Sequence, residues 1–279
     1  MQDLKAAHLP LLEEILRDLS GEPSFPTCMD AATLIWDTLK DPEASLERVA
    51  KAVSIEPLIA SKVLRMANAA ARNPSGKIIT ALPPAISTLG FECVRTISLA
   101  VALDQLLKTP KLAIFSALAK KTWTHSLHLA AIARVLARHI GRINPDEAML
   151  CGLVSHIGIF YLLYRAADKP AYQQDNSLLT DLLQNHHQST GTHLLQSLAL
   201  PDHIITALQT PISFTPQENP LTLSEVLYFA ELLTDETLPW SNAGVTPIDN
   251  QARETDRSRY ANLLEEAAED ISAMQAALA

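Results

Sequence analysis

The sequence predicts an all-α protein, and three observations predict it. Apolar residues recur at three- and four-residue steps through most of the chain, the spacing that puts them on one face of a helix. Prolines stand at helix starts and glycines at helix ends, as at Pro57, Pro145 and Gly90, where each fits the backbone. No stretch alternates apolar and polar residues with the period of a strand.

The elements can be taken in order. Leu4–Leu19 is amphipathic, with Leu12, Ile15 and Leu19 opposite Glu13, Glu14, Arg17 and Asp18, and Pro10 is expected to kink or split it. Gly21-Glu22-Pro23 ends that helix. A second helix carries Ala32, Leu34, Ile35 and Leu39 inward, Asp41-Pro42 breaks it, and Leu46–Val53 forms a third. Glu56-Pro57 opens a fourth, which ends in the polar group Arg65, Asn68 and Arg72. That group reads as a solvated face or a cap. The turn-rich loop Asn73–Lys77 is expected to be mobile, to lie near a lobe interface and to offer a partner contact. A short helix closed by Gly90 and another to about Leu107 come next. A long helix is expected from Thr109-Pro110 to Ile140, closed by Gly141. After a polar loop around Lys169–Asn176 come helices over Leu178–Leu198, from Leu200-Pro201-Asp202 to about Thr210, and over Leu221–Leu233. Thr234–Glu254 reads as a long connection, and Asp256–Leu278 as a final amphipathic helix.

The centre of the chain is Glu147–Leu163. Asn144 is a good N-cap, Pro145 suits the first helical position, and Glu147 is placed for a capping box. The helix is apolar on nearly every side, through Met149, Leu153, Ile157, Phe160 and Leu163, so it belongs in the middle of a domain. Gly152 and His156 share a face, with Ser155 beside them, facing whatever pocket exists.

Composition narrows the function. Hydrophobic residues make up 48% and charged residues 19%, with a net charge of −9, which argues against nucleic acid and anionic membranes as partners. Three cysteines without CxxC spacing read as reduced thiols of a cytoplasmic protein. Neither Cys93 nor Cys151 has a motif-spaced base, so no thiol nucleophile is expected. The N-terminus lacks a signal-peptide pattern, and no apolar run approaches a membrane span. No phosphate-binding loop, dinucleotide-binding or nucleophile-elbow motif occurs.

The run D-E-A-M-L-C-G-L-V-S-H-I-G resembles the helix that carries the His-Asp pair of HD-type metal phosphohydrolases. It is closer still to the HDOD family, their bacterial signalling relative. The segments P-S-F-P, E-P-L-I-A-S-K-V-L-R-M-A-N-A and K-I-I-T-A-L-P-P-A-I-S-T-L-G-F-E-C-V-R resemble the N-terminal half of an HDOD domain, element by element. Trp123-Thr124-His125-Ser126 matches the family's W-x-H-S, and His187 and Gly191 match its H-x-x-x-G-x-x-L-L. Aligned on Leu153, Ile157 and Gly158, Ser155 stands where the family's His would be and His156 where its Asp would be. Leu208-Gln209-Thr210 replaces the histidine pair found after the Pro201 helix. The resemblance also implies that Asn68 ties down the adjoining loop, with a ligand contact as the alternative.

The resemblance implies an HDOD-like domain of two helical lobes over 21–215, an N-terminal helix over 1–20 and a C-terminal helical extension over 216–279. It implies a bacterial, cytoplasmic signal-transduction or regulatory module, non-catalytic, acting through a protein partner or a small ligand, with a homodimer possible and no cofactor. His125, Ser155, His156 and His187 would line its pocket. The alternative is an HD-type phosphohydrolase on nucleotides or phosphoesters, its metal held by His125, His156 and His187. Metal-activated water needs several imidazoles and carboxylates aimed at one ion. A hydroxyl at Ser155 and a displaced imidazole at His156 favour a hydrogen-bonded histidine cluster. A helix-turn-helix nucleic-acid binder is the third reading, and the charge opposes it. His125 and His128, three apart, read as packing residues, and His186, His187 and His193 lack a clamp spacing.

In the last helix Tyr260, Leu263, Leu264, Ala267, Ile271, Met274 and Leu278 form a stripe that must be covered. It is expected to dock on the same chain or on a second copy. Truncation after Asn250 is expected to lower solubility or change the oligomer, read by size-exclusion chromatography with light scattering. An unchanged, well-behaved monomer contradicts this.

Overall fold

The computed structural model describes residues 2–20, 29–69, 73, 76–140, 142–198, 200–209, 222–234, 238 and 260–278. Among these the secondary structure is helical and contains no strand. The helices are α1 (Gln2–Ser20), α2 (Asp30–Leu39), α3 (Leu46–Ser54), α4 (Pro57–Ala67), α5 (Leu82–Leu89) and α6 (Phe91–Leu107). A 3₁₀ turn (Pro110–Phe115) leads to α7 (Ser116–Ile140), α8 (Pro145–Val154), α9 (Ile157–Ala166), α10 (Pro170–Gln174) and α11 (Asn176–Ser197). Then come α12 (Asp202–Gln209), α13 (Leu223–Leu233) and α14 (Ala261–Leu278). They divide into two compact units, Met1–Ser24 with Leu107–Leu264, and Phe25–Leu106 with Glu265–Ala279.

The smaller unit packs α2 on α3, and α3 and α4 on α5. Its core helix α6 is buried from Cys93 to Leu103. The Trp36 indole N–H donates to Arg95 O and Ser98 Oγ at 3.1 Å each, while the Arg95 guanidinium lies 5.6 Å from the centre of that ring. Glu56 caps α4 by accepting from Leu58 N, with Pro57 first in the helix. Asn68 ties down the segment after α4. Its Nδ2 donates to Leu64 O and Ile79 O, and its Oδ1 accepts from Ile79 N, each at 2.8 Å. Asn73 Nδ2 donates to Lys77 O at 2.8 Å, while Pro74 and Ser75 of that loop lie outside the described residues. Gly90 closes α5 at φ 80, a conformation a side chain would strain.

The larger unit is organised around α7, α8, α9 and α11. Helix α7 packs on α8, α9 on α11, and α13 on α7 and α8. Contrary to the expectation that no apolar run approaches a membrane span, the stretch Pro145–Ala166 is apolar and long enough to cross one, and 83% of an 18-residue window within it is buried in the protein. Leu150, Leu153, Ile157 and Phe160 are among its fully buried side chains, each worth roughly 1.5–3 kcal/mol. Two glycines allow the close crossings. A Cβ at Gly152 would lie 2.6 Å from Ala130 N and Cα on α7, and one at Gly158 would lie 2.0 Å from His187 O on α11.

Several expectations are corrected. The central helix is interrupted at Ser155–His156, where Ser155 Oγ donates to Cys151 O at 2.7 Å. That i−4 bond competes with the main chain, and His156 leaves the helical region at φ −107, ψ 15. Asn144 does cap α8, accepting from Asp146 N at 3.0 Å, but Glu147 pairs with His203 at 3.2 Å. Pro10 sits within an uninterrupted α1. It is exposed while neighbouring His8, Leu11 and Ile15 are buried, so the lost backbone bond falls on the solvent side. The long helix expected from Pro110 begins as the 3₁₀ turn, and its closing Gly141 lies outside the described residues. The polar loop after Lys169 contains α10, with Pro170 first and Tyr172 buried. Most of the connection over 234–254 also lies outside the described residues. In the last helix Ala267 and Asp270 are buried, and the ring of Tyr260 meets that of Phe229 on α13 at 6.0 Å.

Helix α1 is held within the larger unit by polar groups the sequence did not single out. His8 is wholly buried. Its Nδ1 is hydrogen-bonded to the Tyr172 hydroxyl and its Nε2–H donates to Asp181, both at 2.9 Å. Glu14 meets Lys169 at 2.7 Å and Arg165 at 3.5 Å, and Asp18 meets Arg165.

Replacing Gly158 by Ala is expected to cost about 3 kcal/mol or more, since backbone must move to admit the methyl. Thermal unfolding checks it. A loss comparable to that at an exposed site would contradict the close crossing.

Candidate functional site

Three helices bring the histidines together. His125 lies midway along α7, His156 in the step between α8 and α9, and His187 on α11 beside the Gly158 crossing. The crossings at Gly152 and Gly158 fix these helices at backbone distance.

The rings of His125 and His156 meet edge to face, with centroids 5.0 Å apart. His125 is 0% exposed and His156 8%. His125 Nε2–H donates to Glu231 on α13 at 3.0 Å, while its Nδ1 is a buried atom without a hydrogen-bond partner, a cost of about 1–3 kcal/mol. His156 Nδ1 faces Ser126 Oγ at 3.4 Å. His187 Nδ1–H donates to Leu183 O at 2.7 Å. Ser155 is turned away, its hydroxyl spent on Cys151 O.

Of the four residues picked from the sequence, the structure therefore joins His125 and His156. It holds His187 at the adjoining crossing and directs Ser155 into its own helix. Sequence reasoning missed Glu231 and Ser126. Glu231 is the lone carboxylate in the apolar run Phe229-Ala230-Glu231-Leu232-Leu233, which was a usable signal. Ser126 is the serine of the W-x-H-S match, which was its one signal. His128 is half-buried and His193 exposed.

Burial sets the electrostatics. His156 is held down to about 3, from an ordinary 6.5, by desolvation first; Glu231 opposes the shift, and His125 and His187 add to it. Burial also lowers His187, opposed by its backbone bonds. Burial pushes the Cys151 thiol up, and Glu147 adds to it, so this cysteine stays protonated and inert.

The HD-type relatives use a metal, which needs lone pairs converging on one point. Here Ser155 presents its proton to a carbonyl, while His125 and His187 each donate one ring N–H, to Glu231 and to Leu183 O, and keep the lone pair of the other nitrogen. Among the described residues no group of three His, Cys, Asp or Glu is arranged to hold an ion. The residues do not fit the two-histidine, two-aspartate set.

The HDOD domain profile matches residues 25–211. No curated protein matches the sequence. Among solved structures, a Shewanella amazonensis SB2B protein named as a candidate metal-dependent phosphohydrolase is similar over 100% of both chains, with a TM-score of 0.73 and 17% identity. An HDOD domain protein of unknown function from Geobacter sulfurreducens is similar over 95% of this chain and 98% of its own, with a TM-score of 0.57 and 19% identity. A Marinobacter aquaeolei VT8 protein named as a candidate signal transduction protein is similar over 96% of this chain and 66% of its own, with a TM-score of 0.58 and 16% identity. At these identities the likeness is one of fold.

The pH dependence comes from His156. Its folded value lies below its ordinary one, so its contribution to stability is present above about pH 6.5 and lost as pH falls toward 3. The unfolded chain takes up the proton first. Stability is expected to fall by about 1.4 kcal/mol per pH unit for this residue within that window, with His187 acting in the same direction. Denaturant titrations of wild type and His156→Gln across the window check this. An equal slope in both would contradict it.

Proposed function

Because the chain belongs to the HDOD family, we propose that it is a non-catalytic signal-transduction module. It acts through a protein partner in a bacterial, cytoplasmic pathway or through a small ligand. Residues 21–215 form the HDOD-like domain, with 1–20 as an N-terminal helix, 216–279 as a C-terminal extension, and a homodimer allowed. The observation that carries the reading is how the candidate ligands are engaged. Where the relatives place a His-Asp pair, this chain has a hydroxyl bonded to Cys151 O and a buried neutral imidazole. Water activation by an ion requires several aimed ligands with an open position, and among the described residues no three His, Cys, Asp or Glu are arranged to supply them. A buried cluster of this kind instead fixes α7, α8, α9 and α13 relative to one another.

The alternative is a phosphohydrolase with a rearranged site. It draws on Glu231, which adds a carboxylate beside His125, and on the name of the Shewanella protein. Elemental analysis of protein purified without nickel resin, with hydrolysis of bis-p-nitrophenyl phosphate, separates the two. The proposal expects substoichiometric metal and no hydrolysis beyond that of His156→Ala. Near-stoichiometric zinc, iron or manganese, lost in His156→Ala and in a folded His156→Gln, would overturn it.

A further inference from the structure

Ile78 is 76% exposed, the highest value among the exposed large hydrophobic residues that the structure describes. It stands in the segment Lys77–Ala81, between the loop after α4 and the start of α5, wholly inside the smaller unit. This segment is neither helix nor turn through Thr80, and Asn68 holds it from one side. The side-chain amide of Asn68 accepts from Ile79 N and donates to Ile79 O, both at 2.8 Å. A residue whose own N–H and C=O both meet one amide group is extended, because helical backbone points them in opposite directions. Ala81 is extended as well, at φ −116, ψ 146. Asn68 thus pairs with Ile79 as a neighbouring strand would.

The geometry of the opposite edge is set by the planarity of the peptide bond. In a trans peptide the C=O and the N–H that it joins point opposite ways, and among the described residues no peptide bond is cis. Ile79 N–H points to Asn68, so Ile78 C=O points away from it. Ile79 C=O points to Asn68, so Thr80 N–H points away too. Among the described residues neither Ile78 C=O nor Thr80 N–H has a hydrogen-bond partner, and both residues are exposed. The result is an acceptor and a donor flanking one residue on an open edge, with an aliphatic side chain beside them. That is the set with which a β-strand receives a neighbour.

We propose that Lys77–Ala81 is a docking edge for an extended segment of a protein partner, which adds as a strand. The partner would accept from Thr80 N–H, donate to Ile78 C=O, and cover Ile78 with a β-branched or aliphatic residue. Exposed Lys77 favours an acidic residue at the end of that segment. The anchoring by Asn68 pre-orders the edge, so little ordering cost remains at binding. A second copy of this chain is the weaker occupant. Two chains of net charge −9 repel, and so short a strand pair buries far less than the roughly 1,200 Å² of a stable dimer. The proposal gives the regulatory reading a surface and stands independently of the histidine cluster, since metal and hydrolysis do not enter its test.

The probe is a short synthetic peptide of alternating valine and threonine with glutamate at each end, titrated into the full-length, isotope-labelled chain. The expected result is a saturable downfield shift and slowed exchange of the Thr80 amide. Ile78→Ser and Thr80→Pro should each weaken binding by about tenfold or more, with unchanged circular dichroism. Ile78→Ser leaves the backbone intact, so the test survives if the proline variant fails to fold. A Thr80 amide that does not respond, or affinity unchanged in the folded variants, overturns the proposal. An equal response to a helix-forming peptide of the same charge does so too. A Thr80 shift that depends on protein concentration without peptide would assign the edge to a second copy and also overturn it.

Discussion

The contact on which the larger unit depends is the crossing of α9 and α11 at Gly158. A methyl group there would overlap the carbonyl of His187, so the two backbones touch and nothing larger than hydrogen can stand between them. Since α9 begins one residue after His156 and α11 carries His187, this contact sets the backbones that carry both imidazoles. The matching crossing of Gly152 on Ala130 sets α8 against α7 and so brings His125 within reach. The cluster is a consequence of two backbone contacts, each made possible by a glycine.

Placing imidazoles in so dry a position has electrostatic consequences. His156 cannot hold a proton at neutral pH, because burial costs its charged form more than the Glu231 carboxylate returns. His125 keeps contact with that carboxylate, whose side chain is 32% exposed, so α13 is linked to the buried cluster through a group that still reaches solvent. The same arrangement recurs at the N-terminal helix, where fully buried His8 joins Tyr172 to the partly exposed Asp181. In both places histidine bridges an interior contact and a surface carboxylate. This suits packing of helices that must stay in register.

Much of the fold was legible because local chemistry specified it. Pro57 and Pro145 open their helices, Asn144 and Glu56 cap them, and Gly90 closes α5. Asn68 could be assigned to the loop it holds because the family resemblance implies an asparagine in that role, and its amide does bond Ile79. The misses have a common cause. Glu147 fits a capping box by spacing, yet His203 from α12 takes it, and no local rule sees that partner. Glu231, His8 and Asp181 are paired across long sequence separations. The interruption at Ser155 hung on whether its hydroxyl bonds Cys151 O or another group, which only the packed environment decides. The family register foretold which side chains stand near the site, and could not foretell where each would direct its hydrogen bonds.

We propose that the histidine cluster is a hydrogen-bonded packing element in which burial keeps His156 neutral. The most direct test is nuclear magnetic resonance of the imidazole nitrogens of His125 and His156, with and without added zinc. The account predicts a neutral His156 between about pH 5 and 8, and ring nitrogens that zinc does not move. Metal-type shifts appearing together at His125 and His156, and abolished by Glu231→Gln, would contradict it.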